Sequence, residues 1–272
     1  MIPTRVLHSA GRSERGPRAR NEDRFLRCER DGVGIYAVAD GLGGVAGGQV
    51  ASTRAVALVS ERVGEIARAA RQGDPSSVLA GVLVEADADL KRFGESDPIL
   101  AGLGTTLTLA ALAPDGLAFA HAGDSRLWAA GEGVPFRRLS DDMNLAARLL
   151  REGRIGEEEY ATSPHRARLL AYLGMRNPLR PQTGSIPIPR GAAATIVLAT
   201  DGLTGPLSEA DVAAAIARDR DPERSAEGLV RLALSRGAND NVTVVVASLS
   251  RAEGGVGPFQ RDLESCGSAG SD

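Results

Sequence analysis

Two apolar runs of this chain, residues 33–39 and 194–200, each stop at an Asp-Gly pair, Asp40-Gly41 and Asp201-Gly202. Short apolar runs closed by a turn signal read as strands. Residues 25–29 precede the first run across an Asp31-Gly32 turn. Residues 105–113, 117–122 and 126–130 follow one another across Pro114-Asp115-Gly116 and Gly123-Asp124-Ser125, which predicts an antiparallel meander. A last strand covers 242–249. Between these lie helical patterns. Val56, Val59, Val63 and Ile66 mark one buried helical face. Val78, Leu79, Val82, Leu83, Ala86 and Leu90 mark a second, opened by Asp74 as N-cap and Pro75 at the first helical position. Further helices cover 208–218 and 222–236. Hydrophobic residues make up 43% of the chain and aromatics 3%, so the core must be built from Val, Leu, Ile and Ala. Sequential strand pairing with grouped helices predicts an α+β fold with antiparallel sheets.

The aspartates recur in one setting. Asp40 and Asp201 end apolar strands, Asp124 sits in a tight turn between two more, and Asp240 stands just before the last strand. Any one of them is an ordinary turn residue. Four of them, each abutting a strand of one core, bring carboxylates together, and convergent carboxylates repel unless a cation sits among them. All-oxygen ligation favours Mg²⁺, Mn²⁺ or Ca²⁺ over zinc. Glycine after Asp40 lets a backbone carbonyl approach such an ion.

Other classes are disfavoured. A net charge of −3, from 32 basic and 35 acidic residues, argues against a nucleic-acid surface. Cys28 and Cys266 are solitary and far apart, so neither a disulfide framework nor a cysteine zinc site is expected. There is no signal-like leader and no run of about 18 apolar residues, so the expectation is a cytoplasmic protein without a membrane anchor. Residues 141–182 read as a charged insertion on the sheet, and 253–272 as a disordered tail rich in Gly, Ser and acid.

Seven short motifs occur in a fixed order: Arg18-Ala19-Arg20-Asn21-Glu22-Asp23-Arg24, Val38-Ala39-Asp40-Gly41-Leu42-Gly43-Gly44, Gly47-Gly48-Gln49-Val50-Ala51-Ser52, Gly102-Leu103-Gly104-Thr105-Thr106, His121-Ala122-Gly123-Asp124-Ser125-Arg126, Leu198-Ala199-Thr200-Asp201-Gly202-Leu203 and Asp240-Asn241-Val242-Thr243-Val244-Val245. Over residues 5 to 250 the chain thereby resembles the metal-dependent (PPM) serine/threonine protein phosphatases of type 2C, in their compact bacterial form. The resemblance implies a four-layer α-β-β-α sandwich, two stacked antiparallel sheets flanked by helices, forming one catalytic domain over 1–252. It implies two tightly bound Mn²⁺ or Mg²⁺ ions and a weaker third. Asp40 would bridge two metals, the Gly41 carbonyl would bind the second, Asp201 and Asp240 would hold the first, and Asp124 with Asp201 the third. Glu22 and Asp23 would act through metal-bound waters, and Arg18 would clasp the substrate phosphate. The reaction implied is direct attack of a metal-bridging water on phosphoserine or phosphothreonine. The partners implied are phosphorylated proteins, including a bacterial Ser/Thr kinase and its substrates, met by a monomer.

Departures from the family pattern fall outside these residues. Leu42 stands where many eukaryotic relatives carry a His and bacterial members commonly an apolar residue, so no general acid is assigned. Asp142-Met143-Asn144 and Ala171-Tyr172-Leu173-Gly174 replace the usual residues around the insertion, which matches the family's flap. His121 reads as a satisfied, partly buried histidine and His165 as solvated flap surface. Glu157–Glu159 read as a solvated helix face, and Trp128 as core. Two rival functions remain. Gly41-Leu42-Gly43-Gly44-Val45-Ala46 fits a dinucleotide fingerprint, although Asp40 would aim a carboxylate at the pyrophosphate and no acid-ended strand follows about 20 residues on. The other is a non-catalytic relative that binds phosphoproteins, for which three metal carboxylates are superfluous. A thiol phosphatase is not indicated, because Gly34 stands where Cys28 would need its Arg.

Overall fold

The computed structural model describes residues 5–43, 47–132, 134–189, 191–251 and 267–269. Its first part runs β1 (Arg5–Glu14), β2 (Arg24–Arg30), β3 (Val33–Ala39), β4 (Gly41–Leu42), α1 (Gly47–Glu61), α2 (Val63–Gln72) and α3 (Ser76–Ser96). The middle runs β5 (Gly104–Thr105), β6 (Leu107–Ala113), β7 (Gly116–Ala122), β8 (Arg126–Gly131), β9 (Val134–Arg138), α4 (Leu145–Arg151), α5 (Glu157–Thr162) and β10 (Gln182–Pro187). It closes with β11 (Ala194–Ala199), α6 (Asp201–Thr204), α7 (Glu209–Arg218), α8 (Pro222–Ser235), β12 (Val242–Arg251) and β13 (Gly267–Ala269).

The strands form a five-stranded sheet, β1-β12-β11-β8-β9, a six-stranded sheet, β10-β7-β6-β3-β2-β13, and the small pair β4-β5. The pairings are antiparallel among the described residues. Period-two alternation builds the layers. In β3, Val33, Ile35 and Ala37 face α1, α2 and α3, while Tyr36 and Val38 face the other sheet. In β12, Val245, Ala247 and Leu249 complete that middle layer, and Val242, Val244 and Val246 pack with α7 and α8. The continuous apolar runs are thus strands buried on both faces. The four-layer α-β-β-α sandwich is the observed architecture, and among the described residues it shows no parallel crossover of the kind a dinucleotide fold needs.

Several local expectations change. The first helical pattern is two helices, broken at Arg62, whose N–H is shared between the Leu58 and Val59 carbonyls. The second starts at Ser76 without a side-chain cap, because the Asp74 N–H closes α2 on the Ala69 carbonyl. The predicted meander is not one. β6 and β7 pair, but β8 crosses to the other sheet and pairs with β11 and β9. The crossing is made at Gly123, with φ +121°, where a Cβ would stand 2.5 Å from the Thr106 side chain. Of the tail expected to be disordered, Gly267–Ala269 is an edge strand on β2, and 253–266 and 270–272 lie outside the described residues. Cys28 is disulfide-bonded, contrary to expectation. Separation in sequence does not bound separation in space, and β13 returns the C-terminal region to the flank of β2, which carries Cys28.

His121 on β7 is fully buried and satisfied at both nitrogens. Nε2 faces the Gly123 and Asp141 carbonyls at 3.1 Å and therefore carries the proton, so Nδ1 accepts from Thr108 Oγ1 at 2.8 Å. Burial pulls its pKa down to about 4, against weaker opposing contributions led by Asp142. A histidine depressed in the fold stabilises fully above its unfolded pKa, about 6.5, and that contribution is lost as pH falls from there toward the folded value. We expect the unfolding free energy from urea titrations to drop between pH 6.5 and 4.5 with an extra slope of up to about 1.4 kcal/mol per pH unit. A His121→Asn variant should lack this increment; an equal slope in both proteins would show that His121 does not supply it.

Candidate active site

The four aspartates gather at one end of the sandwich because each ends or adjoins a strand there. Asp40 follows β3. Its N–H donates to Thr106 Oγ1 at 2.9 Å, and its carbonyl accepts from the Thr106 N–H and Thr105 Oγ1, each at 2.8 Å. Thr106 Oγ1 also bonds Ser125 Oγ at 2.8 Å, which ties the Asp40 backbone to the turn carrying Asp124. The Gly104-Thr105-Thr106 motif thus positions two aspartates together.

Asp201 is the first residue of α6, and Asp240 precedes β12. Glycine lets these segments meet, since a Cβ on Gly202 would overlap the Asn241 carbonyl oxygen and stand 2.9 Å from its carbon. Asn241 is itself pinned. Its Nδ2 donates to the Arg15 and Arg20 carbonyls at 2.8 and 2.9 Å, and its Oδ1 accepts from the Glu22 N–H at 2.8 Å. Asp23, 1% exposed, accepts from Thr200 Oγ1 at 2.7 Å. Gly41 and Gly48 form a cradle in which a Cβ on Gly41 would overlap the Gly48 carbonyl and lie 2.7 Å from the Glu22 carbonyl oxygen.

The electrostatics are those of crowded acids. Burial holds Asp40 well above the usual carboxylate range, and the charges of Asp201, Asp23, Asp124 and Asp240 raise it further. Asp124 is pushed up to about 8 by burial and then by Asp201 and Asp142. Asp23 is raised to about 7, again chiefly by burial. Glu22 is raised by burial against the pull of Arg18. Asp201 is raised by burial and by Asp240, and its carboxyl lies within hydrogen-bonding reach of Asp40. A divalent cation reverses the sign of every such coupling.

Three observations test whether Mn²⁺ or Mg²⁺ suits these residues. Asp201 Oδ1 is buried without a partner. Asp240 has already attracted a cation, Arg18, whose Nη2 donates to Oδ2 at 2.7 Å while Nε donates to the Asn239 carbonyl at 3.0 Å. The donors are all oxygen, as hard cations require. Among the described residues no three His, Cys, Asp or Glu side chains close into a ready-made cage. Mg²⁺-type sites do not need one, because they use one or two carboxylates and keep several waters. The residues fit.

A cleft of about 280 Å³ opens over Asp124, Asp201 and Asp240, walled by Ser163 and Arg166 of the segment after α5. That wall is anchored by a buried network no sequence pattern announced. Arg126 donates to both Asp142 oxygens at 2.9 and 2.7 Å, and the Tyr160 hydroxyl donates to Asp142 Oδ2. Asn144 caps α4 and lies beside Asp124. His165 is exposed, as expected, and so are Glu157–Glu159; Trp128 is core. Gly44–Ala46 lie outside the described residues.

A family model described as Protein phosphatase 2C matches residues 10–232. The serine/threonine phosphatase stp of Listeria monocytogenes is 32% identical over 242 residues, 88% of this chain and 95% of that protein. The serine/threonine protein phosphatase PstP of Mycobacterium tuberculosis is 34% identical over 253 residues, 90% of this chain but 46% of that protein. The solved catalytic domain of PstP in complex with two manganese ions aligns with a TM-score of 0.74 at 31% identity, covering 91% of this chain and all of that one (100%). The S. agalactiae serine/threonine phosphatase aligns with a TM-score of 0.76 at 28% identity, covering 89% of this chain and 99% of that one.

Proposed function

The chain belongs to the protein phosphatase 2C family, and from that premise we propose that Asp40, Asp201, Asp240 and the Gly41 carbonyl hold its metal ions. It is a protein serine/threonine phosphatase that uses Mn²⁺ or Mg²⁺ and acts on phosphorylated proteins. One observation carries the residue assignment: carboxylates from four separate segments converge, each raising the pKa of Asp40, and among the described residues the cation ion-paired to one of the proposed ligands is Arg18, on Asp240 at the rim.

When bound, the ions supply an activated water and positive charge for the phosphoryl oxygens. In our reading Asp40 would help to hold both ions, and Asp124 with Asp201 would hold a weaker third. Asp23, locked by Thr200, and Glu22, held by its backbone to Asn241, orient water around them. Arg18 is exposed and long, and it turns from Asp240 to the substrate phosphate, where its planar fork pairs two oxygens. Leu42 offers no proton, so the leaving group takes one from water.

We further take residues 1–252 as one catalytic domain with a flap at about 141–182, working as a cytoplasmic monomer that opposes a bacterial Ser/Thr kinase. Among the described residues the large apolar side chains left exposed are Val84, Ile99 and Leu234, on three different elements, and no helix is long and apolar enough to cross a membrane. The test is hydrolysis of p-nitrophenyl phosphate and a phosphothreonine peptide. We expect turnover with Mn²⁺ and none in EDTA. No turnover at saturating Mn²⁺ would favour the phosphoprotein-binding alternative.

A further inference from the structure

Two arginines border the cleft. Arg18 reaches it from the β1–β2 connection, and Arg166 lines it from the turn Pro164–Ala167. Arg166 is mounted from two sides: Nη1 donates to the Ala161 carbonyl at 3.0 Å, and its guanidinium carbon lies 5.8 Å from the centre of the Tyr160 ring. Tyr160 is fixed in turn by Asp142 and by Arg126, whose Nη2 reaches its hydroxyl at 3.2 Å. Arg126, Asp142 and Tyr160 are 6%, 2% and 9% exposed, so the mount is part of the core.

Arg126, Arg54 and Arg62 are each paired with a carboxylate. Among the described residues Arg166 has no such partner. It is a half-buried cation held in place with its remaining donors free, beside a cleft whose floor is acidic. It and Arg18 both lie near enough to Asp201 to favour the charged carboxylate. When metal ions neutralise the floor, two anion-seeking groups remain at the cleft; Arg18 is the one assigned above to the scissile phosphate, which leaves Arg166 for a second anion. A guanidinium held by one edge presents its other donors to a carboxylate or phosphate.

Building on the phosphatase reading above, we propose that Arg166 recognises a second anionic group on the substrate, flanking the phosphorylated residue. The enzyme then prefers acidic or multiply phosphorylated segments over neutral ones.

The test compares kcat/KM in Mn²⁺ for three phosphothreonine peptides of equal length, with Gln neighbours, Glu neighbours, or a second phosphothreonine. Wild-type protein should favour each of the two anionic peptides over the neutral one about tenfold, the size of one good charge-assisted contact. The ratio should fall to about one in Arg166→Gln, whatever happens to the rate common to all three. Raising NaCl from about 0.05 to 0.5 M should erode the ratio in wild type and leave the variant's flat. A preference for only one of the anionic peptides would identify carboxylate or phosphate as the recognised group. An anionic preference that survives in Arg166→Gln, or none in wild type, overturns the proposal. Equal losses on all three peptides overturn it too, by placing Arg166 on the scissile phosphate. Absence of any Mn²⁺-dependent turnover in wild type fails the phosphatase reading itself, and this inference with it.

Discussion

Asp201→Asn should cost Mn²⁺-dependent turnover on the order of 10³-fold while making the metal-free protein harder to unfold. The first effect follows from losing a charged ligand: about 4 kcal/mol of metal-borne transition-state stabilisation corresponds to that factor. The second follows from crowding. In the metal-free fold the Asp201 carboxyl is buried, lies against Asp40, feels Asp240, and has one oxygen without a partner. Its folded pKa is raised, so its contribution is most favourable below the unfolded carboxylate pKa and is lost as pH rises through the folded value. Asparagine removes that loss. In EDTA at pH 8 the variant should therefore melt above wild type, by about 2–4 °C for each kcal/mol of relieved repulsion. Mn²⁺ should raise the melting temperature of wild type much more than that of the variant. Asp40→Asn should behave alike. Near-normal kcat/KM, or a lower melting temperature in EDTA, would remove the residue from the ligand set.

These opposite signs explain why the gathering of the aspartates was legible in the sequence and much around it was not. Buried carboxylates at strand ends cost stability, so they stand out against the apolar runs they terminate. Edge strands do not stand out. β1, with Arg5, His8 and Arg12 among its residues, and β10, which has no buried side chain, expose one side to solvent and lack an apolar run. β9 carries Pro135, tolerable at the edge where it lies. The crossing of β8 to the second sheet was hidden because Gly123-Asp124-Ser125 reads like any hairpin turn. Its distinguishing feature is the contact with Thr106, which lies far off in sequence. The Arg126–Asp142–Tyr160 network joins residues 16 and 34 positions apart, beyond any helical or strand period. Arg166 is one of many scattered arginines, and only its mounting distinguishes it.

The glycines after the aspartates invite the reading of simple turn residues, and Gly202 shows why that is incomplete. Gly202→Ala should destabilise by about 2–4 kcal/mol and lower Mn²⁺-dependent turnover about 100-fold. The added Cβ would overlap the Asn241 carbonyl oxygen and lie 3.3 Å from Asp240 Cβ, so relief requires backbone movement. Asn241 cannot yield cheaply, because three hydrogen bonds through its side chain hold it to Arg15, Arg20 and Glu22. The movement therefore falls on α6, and Asp201 at its first position moves with it. A methyl group that touches no substrate thus separates Asp201 from Asp240, and a displacement near 1 Å is enough for a loss of that size. Gly228→Ala in α8 is the matched control, because its nearest neighbour is the flexible end of Arg218 at 3.8 Å. There the helix should gain up to about 1 kcal/mol with activity unchanged. If Gly202→Ala melts and turns over like Gly228→Ala, the close approach of α6 to the Asp240 segment is not what sets the metal ligands.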